Sequence, residues 1–167
     1  MDEKLEQELV KRYPKLYKDH GGDPRQTCMA WGLAVGDGWY HILDNLSAGL
    51  MLLSGKYGID IIADQVKEKF GGLRFYYHTE GKVKWYHKRF HWFQSFIFKF
   101  FSPKTYWKII DFRKKLWRTP YEKISDLVAY AEQMSYETCE RCSQPGKRVG
   151  GGWVQTLCKD CESDNEE

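Results

Sequence analysis

Four of the five cysteines stand as two pairs, Cys139-Glu140-Arg141-Cys142 and Cys158-Lys159-Asp160-Cys161, with fifteen residues between the pairs. Two residues between thiolates let both sulfurs of a pair face one ion, and a spacer of this length can close as a hairpin that brings the second pair to the same ion. The S4 set formed by Cys139, Cys142, Cys158 and Cys161 suits one structural Zn(2+) ion. Four thiolates leave no coordination position for water or substrate, so the pattern reads as a clamp rather than a reaction centre. In HNH-type nucleases a catalytic His and acidic or amide residues accompany such knuckles. Here the spacer from Ser143 to Leu157 contains no His, Asp or Glu, which counts against a nuclease built on this site. A zinc ribbon over 139–161 fits better, with Gly150-Gly151-Gly152 near its hairpin tip. Lys147 and Arg148 could touch phosphate or simply form a solvated ribbon surface. The fifth cysteine lies in Cys28-Met29-Ala30-Trp31 and is expected as a small buried hydrophobe.

A second chemistry-bearing stretch lies upstream. Residues 82–119 hold 11 Lys or Arg against one acid, Asp111, and 13 of the chain's 27 aromatic residues. The stretch carries +10 within a chain of net charge +3, so the remaining residues together carry −7. Ser102-Pro103 punctuates it as a helix start. Before that point Lys84, His87, Lys88, His91, Ser95 and Lys99 fall on one helical stripe and Tyr86, Phe90, Phe93, Ile97, Phe100 and Phe101 on another. After it, Tyr106, Ile109, Ile110 and Trp117 oppose Lys108, Lys114, Lys115 and Arg118. Two amphipathic helices joined by a short turn are predicted. Three readings stand: helices that pack their aromatics on themselves or the core, helices that engage an anionic partner such as nucleic acid or an acidic protein surface, and helices that lie on an anionic membrane surface. The candidate partner-binding residues are Lys84, Lys88, Arg89, Trp92, Lys99 and Lys104, followed by Lys108, Arg113, Lys114, Lys115, Trp117 and Arg118.

Other polar constellations have plainer readings. His87 and His91 stand one turn apart but are flanked by Lys88 and Arg89, which suits a basic face better than a metal pair. Asp37, His41 and Asp44 make a weak acid-base set, because Asp37 reads as a helix cap and the other two fall off the apolar stripe and are expected to be exposed. Lys67, Lys69 and Arg74 could line a phosphate site or form the wet face of a hairpin. No phosphate loop, nucleotide fingerprint or Ser/His/Asp set is present. A non-catalytic protein is expected.

The elements that must position these residues predict an α+β fold. Leu5, Leu9 and Tyr13 place a short helix over 2–12, stopped by Pro14. Asp37 reads as the N-cap of a helix from Gly38 to about Ser54, with Trp39, Ile42, Leu43, Leu46, Leu50 and Leu53 on its buried stripe and Gly55 and Gly58 at its end. Residues 59–78 read as two strands turning at Gly71-Gly72. Thr119-Pro120-Tyr121-Glu122 is a capping box that opens a helix to about Ser135, with Ile124, Leu127, Val128, Ala131 and Met134 inward. The predicted organisation is a core over 1–138 interrupted by 82–119, a zinc ribbon over 139–161, and an acidic tail over 162–167. The clamp would fix the end of the 120–135 helix and so help to place the base of the insertion. No apolar run of spanning length occurs, and Met1-Asp2-Glu3-Lys4 does not open a signal peptide, so a cytosolic protein is expected, in which thiols stay reduced and favour metal over disulfide.

Three motifs carry a resemblance: Gly36-Asp37-Gly38-Trp39, the stretch from Gln65 to Tyr76 containing Lys67-Glu68-Lys69-Phe70-Gly71-Gly72-Leu73-Arg74, and Glu137-Thr138-Cys139-Glu140-Arg141-Cys142 with Gly152-Trp153-Val154-Gln155-Thr156-Leu157-Cys158. In these the chain resembles a family of uncharacterised small proteins encoded by bacteria and phages. The resemblance covers most of residues 30–78 and 120–161. It implies an accessory factor of phages or mobile elements, which would act in the host cytoplasm, and it carries no established activity; engagement of a host protein or nucleoprotein complex is expected of residues 82–119. In the family pattern a short loop links hairpin and helix. Residues 82–119 depart from that, which makes them the expected place for whatever is particular to this chain.

Overall fold

The computed structural model describes residues 1–81 and 118–164. Helix α1 (Glu3–Arg12) begins where the Asp2 carboxylate accepts the Lys4 N–H, with acids in its first turn and Lys11 and Arg12 in its last, the charge order that complements the helix dipole. The chain then passes through the buried Leu16 and Tyr17 to a short 3-10 turn, Cys28–Trp31. Met29 is the residue of this turn that enters the core, and Cys28 is exposed. The expectation of a buried Cys28 is corrected: so tight a turn sends its neighbours in different directions, and the long thioether of Met29 occupies the inward one.

Helix α2 (Tyr40–Tyr57) carries the predicted stripe. Trp39, Leu43, Leu46 and Leu50 are buried, and Ile42 and Leu53 pack at its margin. Asp37 is not its N-cap. A 3-10 turn over Asp37–Trp39 precedes the helix, no side chain caps either element, and the Asp37 carboxylate accepts the Asp2 N–H at 2.5 Å instead. The helix also runs through Gly55 and ends at Gly58. Asp44 is half-buried rather than exposed, because it accepts from Arg12 and from the Tyr13 hydroxyl, both at 2.7 Å. His41 is exposed, as expected.

Strands β2 (Asp60–Lys69) and β3 (Gly72–Glu80) form the hairpin, and β1 (Leu33–Ala34) joins it parallel to Val66 and Lys67, giving the sheet order β1-β2-β3. Lys69 pairs with Gly72, so the turn is Phe70-Gly71 rather than Gly71-Gly72. Both turn residues have positive φ, 55° and 73°, as a two-residue hairpin with right-handed strand twist requires. Gly72 is committed elsewhere: a Cβ there would overlap the ring of Tyr136.

Helix α3 (Pro120–Ser135) opens with the complete Thr119–Glu122 capping box and buries Ile124, Val128 and Ala131. It packs on α2 and runs beside the outer edge of β3. The Leu73 N–H donates to Ser135 Oγ at 2.8 Å and the Phe75 N–H to Glu132 Oε1 at 3.1 Å. Side chains of a helix thus occupy edge donors that would otherwise remain open to another strand. These contacts also orient the elements. The C-terminal turn of α3 lies beside the start of β3. At the other end, Lys123 near the start of α3 donates to the Tyr57 hydroxyl at 3.1 Å, and Gly81 lies beside Gly58.

One apolar cluster joins α1, α2, α3 and the sheet and includes Trp39, Leu46, Leu50 and Ile61. A second, smaller one surrounds Leu157 between the cysteine pairs. Among the described residues no helix is long and apolar enough to cross a membrane.

Candidate metal centre

The first cysteine pair grows out of α3. Beyond its last turn, Thr138 Oγ1 donates to the Met134 carbonyl at 2.9 Å, and the chain folds back with Cys139 N–H on the Gln144 carbonyl at 2.7 Å and Gly146 N–H on the Glu137 carbonyl at 2.9 Å. Strands β4 (Lys147–Val149) and β5 (Gln155–Leu157) form the expected hairpin, with the three glycines in the connection between them. It delivers Cys158 to the first residue before a short helix, α4 (Lys159–Ser163), so that Cys161 follows one turn later. The four sulfurs lie within 4.8 Å of one another. The Cys142 and Cys158 sulfurs are 3.5 Å apart, far beyond a disulfide bond of about 2.05 Å. Metal–sulfur bonds of about 2.3 Å in a tetrahedron put sulfurs about 3.8 Å apart. The spacing therefore fits a single ion held by four thiolates, and the cluster could hold a metal.

The electrostatics agree. Burial opposes ionisation of Cys139, but N–H donors of Cys158, Cys142 and Arg141 outweigh it and bring the thiol down to about 7. Cys161 is pushed up, first by its hydrogen bond to the Cys158 sulfur and then by that to Cys142. Like charges this close oppose one another's ionisation, so four thiolates together call for a cation.

The cysteine pairs are locked to the rest of the chain through its other two motifs. The Gly38 N–H donates to the Glu140 carbonyl at 2.9 Å, Ser143 Oγ to the Gly38 carbonyl at 2.7 Å, and the Trp39 indole N–H to the Thr138 carbonyl at 2.8 Å. The backbones touch so closely that a Cβ on Gly36 would overlap the Glu140 carbonyl, and one on Gly38 would overlap that of Cys139. On the other side Thr156 Oγ1 donates to the Gly71 carbonyl at 2.5 Å, and the Glu140 N–H to the Thr156 carbonyl at 2.9 Å. Tyr136 fills the space over Gly72, accepts from Arg74 at 2.6 Å, and has the Arg148 guanidinium 5.0 Å from its ring centre. Glu140 is buried among these contacts. Its Oε1 accepts from Gln155 at 2.5 Å, Oε2 has no hydrogen-bond partner among the described residues, and burial pushes its carboxyl up.

The position of the site corrects its expected role. It stands beside the β2–β3 turn and the C-terminus of α3, whereas residues 82–117 leave after Gly81 and return at Arg118, before the N-terminus of α3. The four cysteines gather at one end of the helix, and residues 82–117 join the described chain near the other.

Among the candidate partner-binding residues, Lys84, Lys88, Arg89, Trp92, Lys99, Lys104, Lys108, Arg113, Lys114, Lys115 and Trp117 lie outside the described residues, as do His87 and His91. Arg118 is described; it is exposed and pairs with Asp126. His20 contacts Glu6 at 2.5 Å and His78 contacts Asp64 at 2.6 Å, both away from the cysteines. Lys67 and Arg74 face each other across the hairpin, with Lys69 on the same face. The sequence reading missed Tyr136, Glu140 and Thr156, whose importance rests on partners distant in sequence. The one signal available was the pair Gly36 and Gly38 ahead of a core tryptophan, since glycines flanking one residue suit close backbone approach. No protein-family model, curated protein or solved structure matches this chain.

Proposed function

We propose that this chain is a non-catalytic, zinc-clamped binding protein, an accessory factor of a phage or mobile element that engages a nucleic-acid-handling or defence complex of its host. The S4 donor set favours zinc over oxygen-preferring ions, and the clamp's task is structural: it joins the Gly36–Trp39 turn, the hairpin turn and the end of α3. The observation that carries the partner reading is charge segregation. Residues 82–119 hold +10 and 13 aromatic residues, while the rest of the chain sums to −7. Such a segment attracts an anionic surface over distance and holds it by ring contacts.

Affinity capture from host lysate, with and without nuclease treatment, tests this. One dominant complex is expected with the full chain in both conditions, and none with residues 82–117 replaced by a flexible linker. Capture lost on nuclease treatment supports direct nucleic-acid binding instead, and capture that survives the replacement contradicts the role given to the segment.

A further inference from the structure

The cations of the described residues find two kinds of partner. Arg12, Lys18 and Arg118 pair with carboxylates. Around the hairpin turn and the ribbon, no described carboxylate lies within ion-pairing distance of Lys67, Lys69, Arg74 or Arg148. Each lies against a ring instead: Lys67 5.5 Å from the centre of Tyr76, Lys69 5.4 Å from Phe70, and Arg74 and Arg148 5.7 and 5.0 Å from Tyr136. A ring attracts a cation without neutralising it, so these four side chains keep their charge, with the Glu132 carboxylate near enough to act on Arg74. The nearest acid on β2, Glu68, accepts the Gly71 N–H at 2.6 Å and lines the same cleft as Lys69 and Phe70.

The same surface exposes large aromatics. Phe70 is 65% exposed, Tyr76 45% and Trp153 74%. Phe70 holds φ 55° at a turn position that glycine or asparagine takes with less strain. An exposed phenyl ring there contributes nothing to the core, and strain kept at a surface site points to use. Phe70 and Trp153 both line a cleft of about 300 Å³, together with Lys69 and Glu68.

We propose that this end of the molecule binds single-stranded nucleic acid, with bases stacking on Phe70 and Trp153 and phosphates facing Lys67, Lys69, Arg74 and Arg148. Exposed rings interleaved with cations that form no ion pair among the described residues are what an unpaired strand offers complements to; a duplex hides its base faces. This surface is separate from residues 82–119 and does not rest on the role given to them.

The test uses the full chain and a fluorescein-labelled oligothymidylate of about 15 nucleotides, a length on the scale of one binding site, followed by anisotropy over a salt series. The wild-type chain binds, and affinity falls as salt rises. The double variant F70G/W153A loses about tenfold or more, the scale of one or two lost stacking contacts. Glycine suits the positive φ at position 70, so F70G alone keeps or raises the melting temperature, which separates lost binding from lost folding. Host capture through residues 82–119 is unchanged in the double variant. Three results overturn the proposal: no wild-type binding at low salt, equal affinity of wild type and double variant, or a double variant that loses binding to anionic liposomes but not to the oligonucleotide.

Discussion

The two ends of helix α3 are built by different means. At its C-terminus, backbone meets backbone. Gly36 and Gly38 leave no room for a Cβ beside Cys139 and Glu140, and carbonyls and N–H groups of three distant segments satisfy one another beside the four thiols. At its N-terminus, side chains do the joining. Thr119 and Glu122 cap the helix, Lys123 reaches Tyr57, and Lys18, Glu80 and His78 meet at the end of β3. Backbone contacts at closest approach tolerate almost no added volume, whereas exposed caps and ion pairs yield by a rotamer change. The rigid end is therefore suited to presenting a fixed surface, and the permissive end to receiving a long insertion without loss of the core.

Substitutions can break this contrast, beginning with the four candidate metal ligands. Cys139→Ser removes one of four thiolates, and since metal-binding free energy is folding free energy, the melting temperature should fall by on the order of 10 °C. Chelation of the wild-type chain should produce a similar fall, with little further effect on the variant. Next comes Gly38→Ala, whose Cβ would also lie 2.7 Å from Ser143 N; overpacking of this kind costs about 3 kcal/mol in denaturant unfolding. A loss below about 1 kcal/mol would show that the turn can yield and would erase the distinction between the ends.

At the permissive end, Thr119→Ala removes a helix cap and should cost about 1 kcal/mol, with metal content unchanged. The smallest effect belongs to His78. Its hydrogen bond to Asp64, then that to Glu80, outweigh burial and raise its pKa above the ordinary 6.5. A raised folded-state value means that the stabilisation is fully present below pH 6.5 and is lost as pH rises through the higher folded value. Because the pair is exposed, His78→Gln should cost only a few tenths of a kcal/mol at pH 5.5 and nothing measurable at pH 9.

Much of the fold was legible where the cause is local. The capping box sets the start of α3, and its apolar spacing sets the buried face; Cys-x-x-Cys spacing brings the sulfurs together. Legibility failed where a residue answers to a distant partner. Asp37 has the chemistry of a cap, but the turn that docks on Glu140 starts the helix at Tyr40, two residues later than such a cap would. Gly71-Gly72 looks like the turn, yet Tyr136 requires Gly72 in the strand and leaves Phe70 to take positive φ. A two-residue β1 has no periodicity to detect. The three motifs were each visible, but their convergence is a property of tertiary structure: Gly38, Gly71 and Thr156 lie far apart in sequence and are joined through hydrogen bonds to one knuckle.

Amide hydrogen exchange of the full chain, before and after chelation, tests most directly whether a metal clamp joins these segments. The N–H groups of Gly38, Cys139, Glu140 and Gly146 should lose protection when the ion is removed, while those of Ala63 on β2 and of the middle of α3 keep most of theirs. Unchanged protection at the four knuckle-linked amides, or zinc-free protein that already protects them, would contradict the account.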